Sequence, residues 1–188
     1  GYIRAGADVI TTNTFSSARH VLEPAGLGDR VEELNTRAVK LAIEARERTA
    51  DDRAVFIGGA MSRFGGRSAP REELTINYKE QAEILAEAGV DMFILEFLGK
   101  PLENTVLALE AAAATGLPIW LSLSCWEDEV NSVVRFGNRG YASAPRDRDD
   151  MLSDPPIDKA LDRLMPLGGS AVLVIHSEVE DVAPALRA

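Results

Sequence analysis

The stretch LAEAGVDMFILEF, residues 85–97, holds the end of a helix, a glycine corner and a strand that closes on a carboxylate. Gly89 stands where a helix is ended by a residue in the left-handed conformation, which glycine adopts at little steric cost. The run that follows is apolar almost without alternation, as expected of a strand buried on both faces of a parallel sheet. YIRAGADVI (2–10) repeats this corner closely, and AATGLPIW (113–120) and PLGGSAVL (166–173) repeat it more loosely. One helix-to-strand unit recurring every few tens of residues favours a (β/α)8 TIM barrel over a doubly wound sheet.

Working outward, strands are expected at 7–15 (ADVITTNTF), 54–61 (AVFIGGAM), 90–98 (VDMFILEFL), 118–125 (PIWLSLSC) and 171–177 (AVLVIHS). Helices are expected at 29–49, 71–88, 101–114 and 156–167. The first places Val31, Leu34, Ala38, Leu41, Ala42 and Ala45 on one apolar face. Asp29 is its expected N-cap, with Glu32 three residues on. About five strands are visible, so roughly three of a barrel's eight are missing, and exposed sheet edges make a comfortable monomer unexpected. The chain lacks an initiator Met and reads as an interior piece, residues 1–188 forming one barrel domain truncated at both ends. Residues 126–155 break the rhythm as a long connection after a strand, the place for a lid or binding loop at a barrel mouth.

An apolar fraction of 46% and a charged fraction of 27% are ordinary for a soluble globular chain. The net charge of −10 argues against nucleic acid or an anionic membrane as partner. No run approaches the roughly 18 apolar residues of a spanning helix. A single Cys excludes an internal disulfide and fits a cytoplasmic protein. Oligomerisation is left open.

In a parallel barrel, chemistry falls to polar residues at the carboxyl ends of strands. The sequence offers Thr12, Asn13, Thr14, Ser62, Arg63, Glu96, Ser122, Ser124, Cys125, His176 and Ser177. Glu96 is the strongest, because a carboxylate inside MFILEFL is costly to bury without a cation or donors. It either meets an Arg or solvent, or it binds substrate. His176, a lone imidazole, reads first as the solvated residue after a strand, with a metal ligand or a base as the alternatives. Cys125 is a possible soft partner for it, and His20 reads as solvated. The glycine-rich GGAMSRFGGR (58–67) lacks the spacing of a phosphate loop.

YIRAGADVITTNTF (2–15), NYKEQAEILAEAGVDMFILEF (77–97) and PPIDKALDRLMPLGGSAVLVIHSEVEDV (155–182) together resemble the homocysteine S-methyltransferases. The resemblance implies a (β/α)8 barrel of which this chain holds about strands two to six. It implies a zinc ion held by three cysteines, on which a homocysteine thiol becomes a nucleophile toward a methyl donor. The donor is a sulfonium, a quaternary ammonium or cobalamin. It places Glu96 on the residue that holds the amino-acid end of homocysteine, and Thr12 and Asn13 on the pocket wall. The family's strand six ends in Asn-Cys, the Cys being the first zinc ligand, whereas here those positions are Ile175 and His176. Imidazole is a competent but neutral zinc ligand. Phe97 replaces a small polar residue after Glu96.

Three readings follow. One is a zinc-dependent S-methyltransferase acting on homocysteine or a related thiol. The second is a non-catalytic barrel serving as a binding or assembly module. The third is a lyase or aldolase using Glu96 as base, for which the nearest Lys, Lys100, lies past its strand.

Overall fold

The computed structural model of the protein describes residues 1–50, 53–64, 69–98, 101–141 and 144–188. Lys100 and positions 65–68 of the glycine-rich segment lie outside the described residues, as does the Phe97 side chain. The strands are β1 (Val9–Thr11), β2 (Phe56–Ser62), β3 (Met92–Leu98), β4 (Ile119–Leu123), β5 (Cys125–Asp128), β6 (Val133–Phe136), β7 (Gly140–Tyr141), β8 (Ala144–Pro145) and β9 (Ala171–Val174). The helices are α1 (Arg19–Leu22), α2 (Val31–Thr49), α3 (Arg71–Ala88), α4 (Leu102–Ala113), α5 (Arg148–Leu152), α6 (Ile157–Leu164) and α7 (Val179–Ala185).

Five strands pair in parallel in the order β1-β2-β3-β4-β9, so each strand sits beside its predecessor in the series, as consecutive barrel units do. The glycine corners behave as their sequence requires. Gly6 and Gly89 end their helical turns at φ +105° and +101°, and the chain then turns straight into β1 and β3. The sheet is open and curled, with helices along it, and matches an incomplete barrel rather than a closed one. Its edges are β1 and β9 among the described residues.

Two glycines show which way the side chains face. A Cβ on Gly59 would meet Val90 and Leu85, on the helical side of the sheet. A Cβ on Gly58 would come within 2.6 Å of Ile94 Cδ1, on the opposite, concave side. Since side chains alternate along a strand, Ile57, Met61, Phe93, Leu95, Ile119 and Leu121 face the helices, where they form the core with α3 and α4. The concave face then carries Ser62, Glu96, Trp120 and Leu173 by register.

Several expectations are corrected. Helix α2 begins at Val31 after a short 3-10 turn, with Arg30 and not Asp29 at its N-cap. The face expected to be its core side is covered only in part: Val31 is buried and Ala42 and Ala45 pack against the core, while Leu41 is 48% exposed. Leu34, Ala38, Leu41, Ala42 and Ala45 line a groove of about 660 Å³ beside the unpaired edge of β1. Strand β9 was expected to be buried on both faces, yet Val172 and Leu173 are about a third exposed because no described strand lies beyond it.

The connection 126–155 contains ordered structure. Strands β5 and β6 form an antiparallel hairpin, β7 pairs with β8, and α5 follows with Asp147 capping its first turn. Trp126 donates its Nε1–H to Asp154 at 3.0 Å, and Arg146 reaches both oxygens of Asp154 at 2.7 and 2.8 Å.

Candidate functional site

The end of β3 sits at an irregularity. Its pairing with β4 shifts register between Leu95 and Leu98, on either side of Glu96. Such bulges bend a strand and re-aim a side chain, and they recur next to functional sites. Glu96 is partly buried on the concave face. Burial raises its pKa above the ordinary carboxylate value, and the neighbouring charge of His176 partly offsets the rise. Glu96 in β3 and His176 just past β9 thus flank β4 at its carboxyl end, though 80 positions separate them in the chain (176 − 96).

His176 follows β9 and is exposed, with φ +52°, a left-handed conformation rare for a residue with a Cβ. Ile175 still donates its N–H to Leu123 at 2.9 Å, so His176 is the first residue past the ladder. Ser177 accepts the Cys125 N–H at 2.9 Å.

Thr12 and Asn13 stand elsewhere, at the end of β1 on the far edge of the sheet. Thr12 is buried, and its hydroxyl accepts the Ala60 N–H at 3.1 Å. Thr14 gives its proton to the Ala60 carbonyl at 2.7 Å, so Thr12 must be the donor in their 2.6 Å contact. Both threonines therefore staple β1 to β2. Asn13 is exposed and borders the α2 groove. Ser62, register partner of Glu96, is likewise engaged: it donates to the Phe15 carbonyl and accepts from the Phe64 N–H.

Cys125 is 2% exposed, and burial, reinforced by Asp181, pushes its thiol up to about 12. A thiol so raised is protonated at neutral pH and is a poor ligand or nucleophile. Among the described residues no three His, Cys, Asp or Glu are grouped to hold a metal ion. The described chain therefore fits a zinc site only as the provider of one exposed donor, His176.

His20, expected to be solvated, is 7% exposed. Its ring meets Tyr78 edge-on at 5.3 Å, and Nε2 lies 3.2 Å from the Phe64 carbonyl. Burial lowers its pKa below the ordinary 6.5, against weaker opposing effects of the Phe64 carbonyl and Glu73. The unfolded chain thus takes up this proton at a higher pH than the folded one. Stability is expected to fall as pH drops from about 6.5 through the lowered folded value. Urea midpoints of wild type and His20→Phe between pH 7.5 and 5.5 measure this. The variant should show a flatter decline, and parallel curves would refute the assignment.

Sequence reasoning missed Trp126, Arg135, Arg139, Arg146, Asp154 and Asp181. The guanidinium groups of Arg135 and Arg139 lie over the Trp126 ring, 5.9 and 5.5 Å from its centroid. The alternating charges of 126–150 were the available signal, and their partners are too distant in sequence to pair by inspection. Among the described residues, no helix is long and apolar enough to cross a membrane.

Comparison with known proteins gives this geometry a family context. A family model described as homocysteine S-methyltransferase matches residues 1–146. Homocysteine S-methyltransferase 3 of Zea mays is 25% identical over 147 residues, covering 65% of this chain and 44% of its own. S-methylmethionine–homocysteine S-methyltransferase BHMT2 of Rattus norvegicus is 29% identical over 124 residues, covering 65% and 31%. The metallated form of the homocysteine methyltransferase MmuM from Escherichia coli superposes with a TM-score of 0.78 at 18% identity. That likeness, which shows the fold, covers 99% of this chain and 64% of the other. The chain spans less than half the length of either of these two curated relatives.

Proposed function

The chain belongs to the homocysteine S-methyltransferase family, and on that premise we propose that it serves methyl transfer to the thiol of homocysteine or a related thiol. What supports this reading is that Glu96 and His176 stand at the carboxyl ends of β3 and β9, flanking β4, where barrel enzymes place their chemistry. In the proposed site the Glu96 carboxylate accepts the ammonium group of the amino-acid thiol. Partial burial strengthens that contact relative to one in open water. The concave face around it carries Ile94 and Trp120, which shield the thiol from solvent. Asn13 and Thr12 are proposed pocket residues at the far edge. Thr12 acts there by fixing the β1–β2 backbone, since its hydroxyl hydrogen is engaged.

Zinc is the cofactor proposed with this chemistry, His176 being the donor that the described chain provides. Such an ion, when bound, lowers a thiol's pKa enough to supply thiolate at neutral pH. A second reading, a barrel that binds the thiol without catalysis, is favoured by one observation: Cys125 is buried, which pushes its thiol pKa up and leaves it a poor metal ligand. We place the protein in the cytoplasm on the strength of its cysteine usage.

Calorimetric titration with homocysteine and with cysteine, followed by methyl-transfer assays with S-methylmethionine and with betaine, separates these readings. Binding with transfer supports the enzyme. Binding without transfer from either donor, with zinc supplied, supports the module. Absence of binding by homocysteine, and by cysteine as a related amino-acid thiol, overturns both.

A further inference from the structure

We infer that Arg139 and Asp181, together with Ser177, are positioning residues that hold the His176 turn in its left-handed conformation at the carboxyl end of β9. A left-handed non-glycine residue costs of order 1–3 kcal/mol and persists where its surroundings over-determine it. The surroundings of His176 do so from both sides. Immediately after it, Ser177 Oγ accepts the Cys125 N–H at 2.9 Å and donates to the Ile175 carbonyl at 3.3 Å, closing the turn on itself. Five residues on, the Asp181 side chain is 1% exposed and is gripped by the segment that follows β4. Its Oδ1 accepts the Glu127 N–H and Arg139 Nη2, each at 2.8 Å, and its Oδ2 accepts Arg139 Nε at 2.9 Å. Arg139 Nη2 also donates to the Glu127 carbonyl at 3.0 Å.

The grip is anchored in turn. Arg139 stacks on Trp126, whose indole N–H is bound by Asp154, and Asp154 is held by Arg146. A run of contacts thus leads from Arg146 to the helix that follows His176. None of these residues touches the proposed substrate, and their effect passes through the backbone on either side of His176. The segment 126–155 acts in this reading as a clamp on the strand-end histidine. The inference depends on the proposed function only in treating His176 as a site residue, and its test uses neither substrate nor metal.

The chain has two histidines, so the ring signals of protein labelled with 13C-histidine report two places at once. His176 reports the turn, while His20, buried against Tyr78, reports the integrity of the fold. Spectra are compared for wild type, Arg139→Met and Ser177→Ala. The expected result is one defined His176 signal in the wild type. In both variants it moves to the free-imidazole position or splits, and the His20 signal stays in place. An unmoved His176 signal in Arg139→Met with His20 in place overturns the inference. Should Arg139→Met shift His20 as well, Arg139→Lys, which keeps the charge but loses the two-pronged grip on Asp181, decides. Movement of His176 alone then upholds the clamp, and an unchanged spectrum overturns it. Loss of homocysteine binding in the wild type would count against the proposed function and leave this result standing.

Discussion

Replacing Asp154 by Ala is expected to destabilise the protein by about 3 kcal/mol, the low end of the cost of breaking a buried ion pair. The low end applies because Arg146 keeps 12% of its side chain exposed, while Asp154 is fully buried. The loss has two sources. Arg146 would keep its charge with its two-pronged partner gone, and the Trp126 N–H would lose its acceptor. For a chain of this size the melting temperature should fall by about 10 °C. Asp150→Ala is the control. It also removes a carboxylate from Arg146, but one 45% exposed, and exposed pairs contribute little. Its melting temperature should stay within about 2 °C of wild type. The double variant Arg146→Met/Asp154→Leu should recover part of the loss, since it leaves no orphaned charge. Thermal melts followed by tryptophan fluorescence read all three. Equal melting temperatures for Asp154→Ala and Asp150→Ala would show that the buried pair does not hold the segment.

The central sheet was legible because each of its five strands is an apolar run and all but β2 are entered through a glycine corner, and both signals are local. Gly6 and Gly89 needed no tertiary information to be read as left-handed caps. The burial of β9 and of Leu41 on α2 was overread for one reason. Apolar periodicity marks a face suited to burial, and whether a neighbour covers it depends on which strands are present. Glu96 was legible as a cost, a carboxylate where the pattern called for an apolar residue. Its placement across β4 from His176 was not, because the strand order decides it. The segment 126–155 was least legible. Arg139 and Asp181 are 42 residues apart, and nothing in either local stretch marks them as partners. Thr12 shows the opposite limit: a polar residue at a strand end looked available for a ligand, while its hydrogen bonds were already committed to Thr14 and Ala60.

Replacing Glu96 by Gln is expected to weaken binding of homocysteine by about 2 kcal/mol, or ~30-fold in Kd. Gln has nearly the same shape and keeps one carbonyl oxygen, so the position remains filled and can still accept a hydrogen bond. What it lacks is the negative charge that complements an ammonium group, and a charge-assisted hydrogen bond is roughly twice as strong as a neutral one. The effect must therefore depend on the ligand. A thiol of similar size without the amino group should bind wild type and variant alike, each about as weakly as homocysteine binds the variant. Two competing explanations are separable on this basis. If Glu96 merely balances the charge of His176, its removal should alter both thiols equally. If it supports the fold, the melting temperature should drop with affinity. Because burial already disfavours its ionised form, removing the charge should leave stability unchanged or slightly higher. Calorimetry with both thiols, alongside a thermal melt, distinguishes the three outcomes. A Glu96→Gln variant that loses neither thiol would remove this carboxylate from the site.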